Sequence, residues 1–376
     1  MLPSRLWFLC VLAVACERPE APHPVVPTDD AKSAPGPTAP AVASSSGPTP
    51  EPEVEVKKLD VLDKAMGTEV HIIALTNPSA DEKKVREAIG KAIDEIRRLE
   101  DVLTTWRASE LSKLNENSGQ WVALGPDSLD VLQKSVWAGK TSSGTFDITF
   151  ASMSDVWKFG DAAEAEPKLP DPKTVLRLKK LVDYRKIELD VPGKRGRIGK
   201  GQRIDVGGIA KGYAVDAAVR VLRAHGVKDF LAQAGGDLFG AGRKPDGSPW
   251  VSGIRDPRGP TDSFFATIEL ENHAFSTAGD YARSFVKDGK RYHHIIDPRT
   301  GYPATACRSV TVWAGDAFTA DAVDDAVFIL GPKSGLELVE SLPDVGAVIV
   351  DGQNQVFVSK RLEGKVRVMR KPTDGI

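Results

Sequence analysis

Cysteine is scarce in this 376-residue chain: Cys10, Cys16 and Cys307 are the only three. They cannot build a disulfide scaffold, and with six scattered histidines they offer no tetrahedral zinc set. No apolar run reaches the roughly 18 residues that a transmembrane helix requires. Neither sign of charge dominates, since 50 Lys and Arg face 52 Asp and Glu for a formal net charge of -2. The chain as a whole therefore exerts no global field on nucleic acid or anionic lipid, and no nucleic-acid partner is expected. There is no internal repeat, no Walker A loop and no GxGxxG fingerprint. These absences leave a globular enzyme or binding protein of two to three domains' length at about 150 residues each.

The first residues read as an address. A single Arg5 precedes an apolar run over 6–15, which ends Leu12-Ala13-Val14-Ala15-Cys16. This is the pattern of a short secretory signal. The cysteine directly after it resembles a bacterial lipobox, with Cys16 as the lipidated first residue of the mature chain; an ordinary signal peptide with an incidental cysteine is the alternative. Ala13 stands where a lipobox usually has Leu, and Glu17 is not the Asp associated with inner-membrane retention. The expected location is thus a membrane-anchored lipoprotein facing the periplasm, on the inner leaflet of the outer membrane. From 17 to 56 the chain is rich in Pro, Ala and Ser, with no Leu, Ile, Met or aromatic residue. Such a segment buries too little apolar surface to offset its ordering entropy, so 16–56 is read as a flexible tether spanning on the order of 35 Å.

Beyond residue 57 the body, 57–370, alternates helical and strand periodicities, with room for two subdomains. Val85, Ile89, Ile93, Ile96, Leu99 and Leu103 recur at helical spacing behind the candidate caps Ser79 and Asp81. Further helices are expected over 128–138, ended by Gly139 and Gly144; over 209–224, closed by Gly226; and over 317–330, ended by Gly331-Pro332. Strands are expected over 69–75, 230–234, 264–270, 309–314, 346–350 and 353–359, the last two joined by an Asp351-Gly352 turn. Hairpins rather than strict βαβ alternation point to an α+β class.

Four polar or glycine-bearing segments interrupt this pattern. Ile204 to Tyr213, containing Asp205, Gly207-Gly208 and Lys211, runs from a strand end into a helix start. Paired glycines there admit close backbone approach, and helix-start N–H groups favour an anion such as phosphate; a tight turn with a solvated Lys211 is the plain alternative. Gly235-Gly236-Asp237 alone signals no more than a turn. Ser276 to Tyr281 and Tyr292 to Gly301, with His293, His294, Asp297 and Arg299, form a dense polar run read as functional loops. In Ala320 to Phe328, Asp321 and Asp325 are four apart and share a helix face. Such paired carboxylates suit a hard cation, Mg²⁺ or Ca²⁺, or else complement the helix macrodipole.

Taken in order, these segments resemble the ApbE family of flavin transferases. The matching elements are Met66-Gly67-Thr68, Ser109 to Asn115, Gly144-Thr145-Phe146-Asp147-Ile148-Thr149, Trp157 to Gly160, Asp205 to Tyr213, Gly235-Gly236-Asp237, Ser276 to Tyr281, His294 to Gly301 and Ala320 to Asp325. They run through essentially the whole body. The resemblance implies a T-fold-like α+β architecture of mixed, largely antiparallel sheets with packed helices, and FAD in the cleft between them.

It also implies the activity of an FAD:protein FMN transferase. FMN moves from FAD to a Thr or Ser hydroxyl of an acceptor by a Mg²⁺-dependent phosphoester transfer that releases AMP. The acceptor would carry a Ser/Thr-Gly-Ala-Thr-like motif, as in Nqr/Rnf-type electron-transport subunits. By the same resemblance Asp321, Asp325 and the carbonyls of Gly208 and Asp324 would hold the metal. Met66, Trp106, Thr145, Phe146, Asp147, Asp205, Lys211 and Ile295 would line the FAD site. His294 is the candidate general base or orienting group, and Lys211 the candidate for neutralising phosphate charge. Asp325 stands where the family usually has Thr. Two rival readings use the same site: a metal-dependent FAD pyrophosphatase giving FMN and AMP, and a periplasmic FAD-binding lipoprotein without turnover.

Overall fold

In the strand β2 (Thr68–Leu75), Val70, Ile72 and Ala74 enter one hydrophobic core while Ile73 and Leu75 enter another. This is the period-2 alternation of a strand buried on both faces. The structure is a computed structural model that describes residues 55–159 and 168–375. The signal peptide, Cys16 and most of the tether lie outside the described residues.

β2 belongs to an eight-stranded antiparallel sheet of order β1 (Lys58–Ala65), β2, β6 (Phe230–Ala234), β7 (Asp237–Ala241), β10 (His273–Gly279), β15 (Cys307–Ala314), β16 (Val345–Asp351) and β17 (Val356–Val358). Three helices cover one face: α1 (Glu82–Leu103), α5 (Ala210–Ala224) and α6 (Ala317–Ser341). The other face is covered by a three-stranded sheet, β8 (Trp250–Arg255), β9 (Phe264–Leu270) and β18 (Val366–Val368). Phe265, Ile268 and Leu270 from that sheet pack against Leu231, Phe275 and Trp313 of the large one. Every pairing among the described strands is antiparallel, as an α+β class built from hairpins requires.

α1 forms where its apolar periodicity lies. Val85, Ile89, Ile93, Ile96, Leu99 and Leu103 are buried along one stripe, and the Asp81 carboxylate caps the start by accepting from the Lys84 N–H. Shorter elements line the rim: α2 (Glu110–Glu116), α3 (Pro126–Thr141), α4 (Pro172–Leu178), and a small sheet of β3 (Val122–Ala123), β5 (Arg195–Arg197) and β4 (Glu188–Asp190). Two hairpins follow β10: β11 (Ser284–Lys287) with β12 (Lys290–His293), and β13 (Ile296–Asp297) with β14 (Tyr302–Pro303).

Several local expectations change. Gly139 does not end α3 but lies inside it, where a Cβ would stand 2.6 Å from the Tyr184 ring; the helix stops after Thr141, before Ser143 and Gly144 at positive φ. Gly331, at φ 78°, kinks α6 rather than ending it, and helix resumes to Ser341 with Pro332 opening the second segment. Residues 276–279 and 292–293 are strand, not loop: their polar side chains lie on β10 and β12. Residues 204–206 form no strand, and the chain enters α5 from an irregular segment.

Candidate active site

The chemistry gathers where α5, α6, β7 and β10 meet. Gly212 sets the spacing of the two helices: a Cβ there would stand 2.4 Å from the Ala317 carbonyl oxygen and 2.8 Å from Asp321 Cβ. With only hydrogen at that position the backbones pack closely, and the Gly212 N–H donates to Asp321 Oδ2 at 2.9 Å. One residue earlier, the Lys211 ammonium reaches Asp321 Oδ1 at 3.3 Å and Asp237 Oδ2 at 2.8 Å. Asp237 is fully buried at the start of β7, placed there by the Gly235-Gly236 turn with Gly235 at φ 61°, and its Oδ1 has no hydrogen-bond partner.

Two further carboxylates complete the group. Asp324 is buried and its Oδ2 accepts from Ser276 Oγ at 2.7 Å. Asp325 lies against Gly208, where a Cβ would be 3.3 Å from Asp325 Oδ2. Four acids thus face a single ammonium. Burial pushes the carboxyls of Asp321 and Asp324 well above the usual range, and neighbouring carboxylates push them further. Asp325 is raised to about 6 by burial, with Lys211 opposing. Burial alone would discharge Lys211, but Asp237 and Asp321 outweigh it and hold the ammonium protonated.

This donor set fits a hard cation. It is largely buried, made of oxygen, and negative in excess of the two cations that act on it, Lys211 and Arg283, the condition in which a bound cation offsets the desolvation of the acids. No three side chains of His, Cys, Asp or Glu stand at metal-cage spacing among the described residues. Mg²⁺ does not need such a cage, because it binds through one or two carboxylates and keeps several waters. Within α6 the Asp324 carbonyl lies in a helical ladder, where its second lone pair is the available donor.

His294 follows β12, its backbone N–H donating to the Arg283 carbonyl at 3.1 Å. Part of the residue reaches the surface, but Nδ1 is shielded and has no hydrogen-bond partner. Burial first, then the charges of Arg283 and Lys211, push its pKa down to about 3, so the ring is neutral. The neighbouring His293 is structural instead. Its Nε2 lies 2.7 Å from the Ala304 carbonyl and its Nδ1 accepts the Ile295 N–H, which fixes the Nε2–H tautomer.

The residues assigned to flavin by resemblance are placed unequally. Phe146 lies beside Gly208, 3.4 Å from where its Cβ would be. Asp205 accepts from Thr105 Oγ1 at 3.0 Å and its N–H donates to the Ile148 carbonyl, which joins the Trp106 turn to the 146–148 segment. Trp106 itself is 87% exposed, an aromatic face with nothing over it among the described residues. Met66, at φ 53° in the β1–β2 turn, is held by Glu100 Oε2 at 2.7 Å. That turn abuts the one bearing Asp237, since Thr68 Oγ1 is 2.9 Å from where a Gly235 Cβ would be. Ile295 is buried between His293 and Ala304. Thr145 and Asp147 spend their polar atoms internally. Thr145 Oγ1 donates to the Ser142 carbonyl, and the Asp147 carboxylate accepts from Thr149 and from the Tyr184 N–H. These bonds hold the loop that carries Phe146 in place.

Asp237 and Ser276 belong to the site although spacing alone did not mark them. Asp237 sat in a stretch that reads as a turn, and nothing local says that a turn residue will be buried against a helix 26 positions back. The expected active loop at Ser276–Tyr281 is instead a strand anchored at its end, where Asp280 takes a bidentate, buried ion pair from Arg258 at 2.6 and 2.7 Å.

Residues 66–349 match the model of the ApbE family. A protein of Haemophilus influenzae named FAD:protein FMN transferase is 30% identical over 315 residues, covering 81% of this chain and 90% of that one. One of the same name from Treponema pallidum is 30% identical over 76% of this chain and 83% of its own length. Among solved structures, the ApbE protein of Thermotoga maritima superposes with a TM-score of 0.74 at 30% identity, covering 83% of this chain and all of that one. The flavinyl transferase ApbE of Pseudomonas stutzeri, in its apo form, gives 0.73 at 27% identity, covering 83% and 98%.

Proposed function

The chain belongs to the ApbE family, and on that premise we propose that it is an FAD:protein FMN transferase acting on a Ser or Thr hydroxyl of an acceptor protein. The observation that carries this reading is the set of the buried Asp237, Asp321 and Asp324 and the half-buried Asp325 around the Lys211 ammonium. Phosphoryl transfer asks a protein mainly for positioning and charge neutralisation, and this is the place in the described structure built for both.

The acceptor oxygen bonds to the FMN phosphorus as the bond from that phosphorus to the bridging pyrophosphate oxygen breaks. AMP departs with that oxygen, and the hydroxyl proton passes to a ring nitrogen of His294. A neutral imidazole holds the lone pair this requires at pH 7. Its low basicity stems from burial and from Arg283 and Lys211, and the pyrophosphate of bound FAD would pair with those cations and raise it. Lys211 neutralises phosphate charge, moving from carboxylate partners to substrate oxygens. Phe146, Trp106 and Asp205 hold the flavin and adenine rings against the Gly208 turn. Asp321, Asp325 and the carbonyls of Gly208 and Asp324 would hold Mg²⁺, which supplies further charge neutralisation on the pyrophosphate when bound.

Export, acylation at Cys16 and a position facing the periplasm are part of this proposal, supported by the run over 6–16. The acceptor class, a membrane electron-transport subunit with a Ser/Thr-Gly-Ala-Thr-like stretch, rests on the family resemblance. Chromatography of the nucleotides from FAD, Mg²⁺ and the full chain, with and without acceptor, tests the reaction class. AMP released only when acceptor is present supports transfer. AMP with free FMN in its absence establishes the pyrophosphatase, and intact FAD under both conditions establishes a binding protein.

A further inference from the structure

The chain is nearly neutral as a whole, yet residues 177–203 hold ten Lys and Arg against three Asp and Glu. The fold turns Lys179 to the Arg299 carbonyl and Arg203 to Asp155, and brings the stretches around 181–186 and 194–202 together. Gln202 ties the two basic stretches together, its Nε2 donating to the carbonyls of Leu181 and Asp183 while its Oε1 accepts from Gly199. The Lys186 stem runs beside Gly199 and the Lys200 stem beside Gly119. The guanidinium groups of Arg195 and Arg197 flank the Trp121 ring at 5.0 and 4.9 Å. Asp183, Glu188 and Asp190 pair with Arg185, Arg197 and Arg195. Lys186, Lys194 and Lys200 are exposed and have no ion-pair partner among the described residues.

We propose that this face rests on an anionic bilayer surface, with the lysines among phospholipid headgroups and Trp121 and Val191 at the acyl boundary. Val191 is exposed at the tip of the β4–β5 hairpin beside Lys194, and Trp121 is 38% exposed between its two arginines. Single apolar tips interleaved with cations suit a headgroup layer, which takes charge above and apolar groups below. A protein partner calls for a contiguous apolar centre, which these separated tips do not form. The surface is also coupled to the active site: the Asp183 N–H donates to Thr149 Oγ1 and the Tyr184 N–H to Asp147 Oδ2, in the segment beside Phe146. Membrane contact here fixes the orientation of the cleft toward an acceptor embedded in the same bilayer. The inference stands whether or not the transfer reading holds.

The test is flotation of the full chain carrying Cys16→Ser with vesicles of phosphatidylcholine alone or mixed with phosphatidylglycerol. Association with the anionic vesicles only, falling steeply with salt, is the expected result. Lys186→Glu, Lys194→Glu and Lys200→Glu together should weaken it at least about tenfold, since each basic residue near such a surface contributes roughly fivefold. Reversing Lys83, Lys228 and Lys333, exposed elsewhere on the body, makes the same change in net charge and should leave binding within about twofold. Equal binding to neutral vesicles, no loss in the first triple variant, or equal loss in both triples overturns the proposal. If the first triple variant keeps vesicle binding but raises KM for a soluble acceptor, the face is a protein-docking surface and the membrane assignment is wrong.

Discussion

Lys211 Nζ lies 2.8 Å from Asp237 Oδ2, bridging the first turn of α5 and the first residue of β7 inside the large sheet's helical layer. This cation pairs directly with the buried Asp237 and Asp321 and also faces Asp324 and the half-buried Asp325, so its removal should be felt in stability before chemistry. Lys211→Met should cost about 2–3 kcal/mol in urea unfolding, below the 3–5 expected of a fully buried pair because the lysine is partly exposed. Added Mg²⁺ should restore part of the loss. Unchanged stability would mean that the acids are discharged or solvated rather than balanced by Lys211.

Asp321→Asn should separate stability from function. Asparagine keeps an acceptor for the Gly212 N–H and removes one of four mutually repelling charges, so the metal-free melting temperature should stay or rise. Turnover should fall more than about 100-fold, beyond the 10–100-fold typical of outer-sphere changes in metal sites. Mg²⁺ should raise the wild-type melting temperature and not the variant's. A variant that turns over normally contradicts the site.

His294 should not titrate in the physiological range. With its pKa pushed down to about 3 by burial and by the cations Arg283 and Lys211, its ring resonances in the substrate-free protein should keep neutral-imidazole positions from pH 8 to about 4.5. His294→Ala should lower transfer by about 10²–10⁴-fold while FAD affinity stays within a few-fold. A titration near 6.5, or full activity in the variant, would remove it from the proton-transfer role.

Asp216 gives a pH dependence remote from the metal ligands. Its carboxylate caps α6 by accepting from the N–H groups of Ala317 and Phe318 at 2.8 and 2.9 Å. Burial raises its pKa from the ordinary carboxylate range to about 6. A raised folded-state pKa contributes stability that is complete below the unfolded value and is lost as pH climbs through the folded one. The stability of wild type relative to Asp216→Asn should therefore fall between about pH 4 and 6 and level off above. A difference that grows across that window would contradict the assignment.

Much of the fold was legible because local rules and tertiary packing agree. The stripe from Val85 to Leu103 and the Asp81 cap specify α1 in both sequence and structure, and the alternation over 69–75 specifies β2. Disagreement arises where a rule has two outcomes. Gly139 reads as a helix end by propensity, yet only a glycine fits against the Tyr184 ring, so packing decides. The polar Ser276 to Gly279 run reads as a loop, but its hydroxyls point to Asp324 and Thr311 across a buried strand. The pairing of Asp321 with Asp325 followed from helical spacing alone. The inclusion of Asp237 did not, because the contact spans α5, β7 and α6, and no local pattern encodes it.

The most direct test of the account is the intact mass of an acceptor fragment carrying a Ser/Thr-Gly-Ala-Thr stretch, after incubation with the full chain, FAD and Mg²⁺. The expected result is a gain of one FMN residue, abolished by chelator and by Asp321→Ala, with AMP released in equal amount. An acceptor of unchanged mass, while FAD is cleaved or left intact, would contradict it.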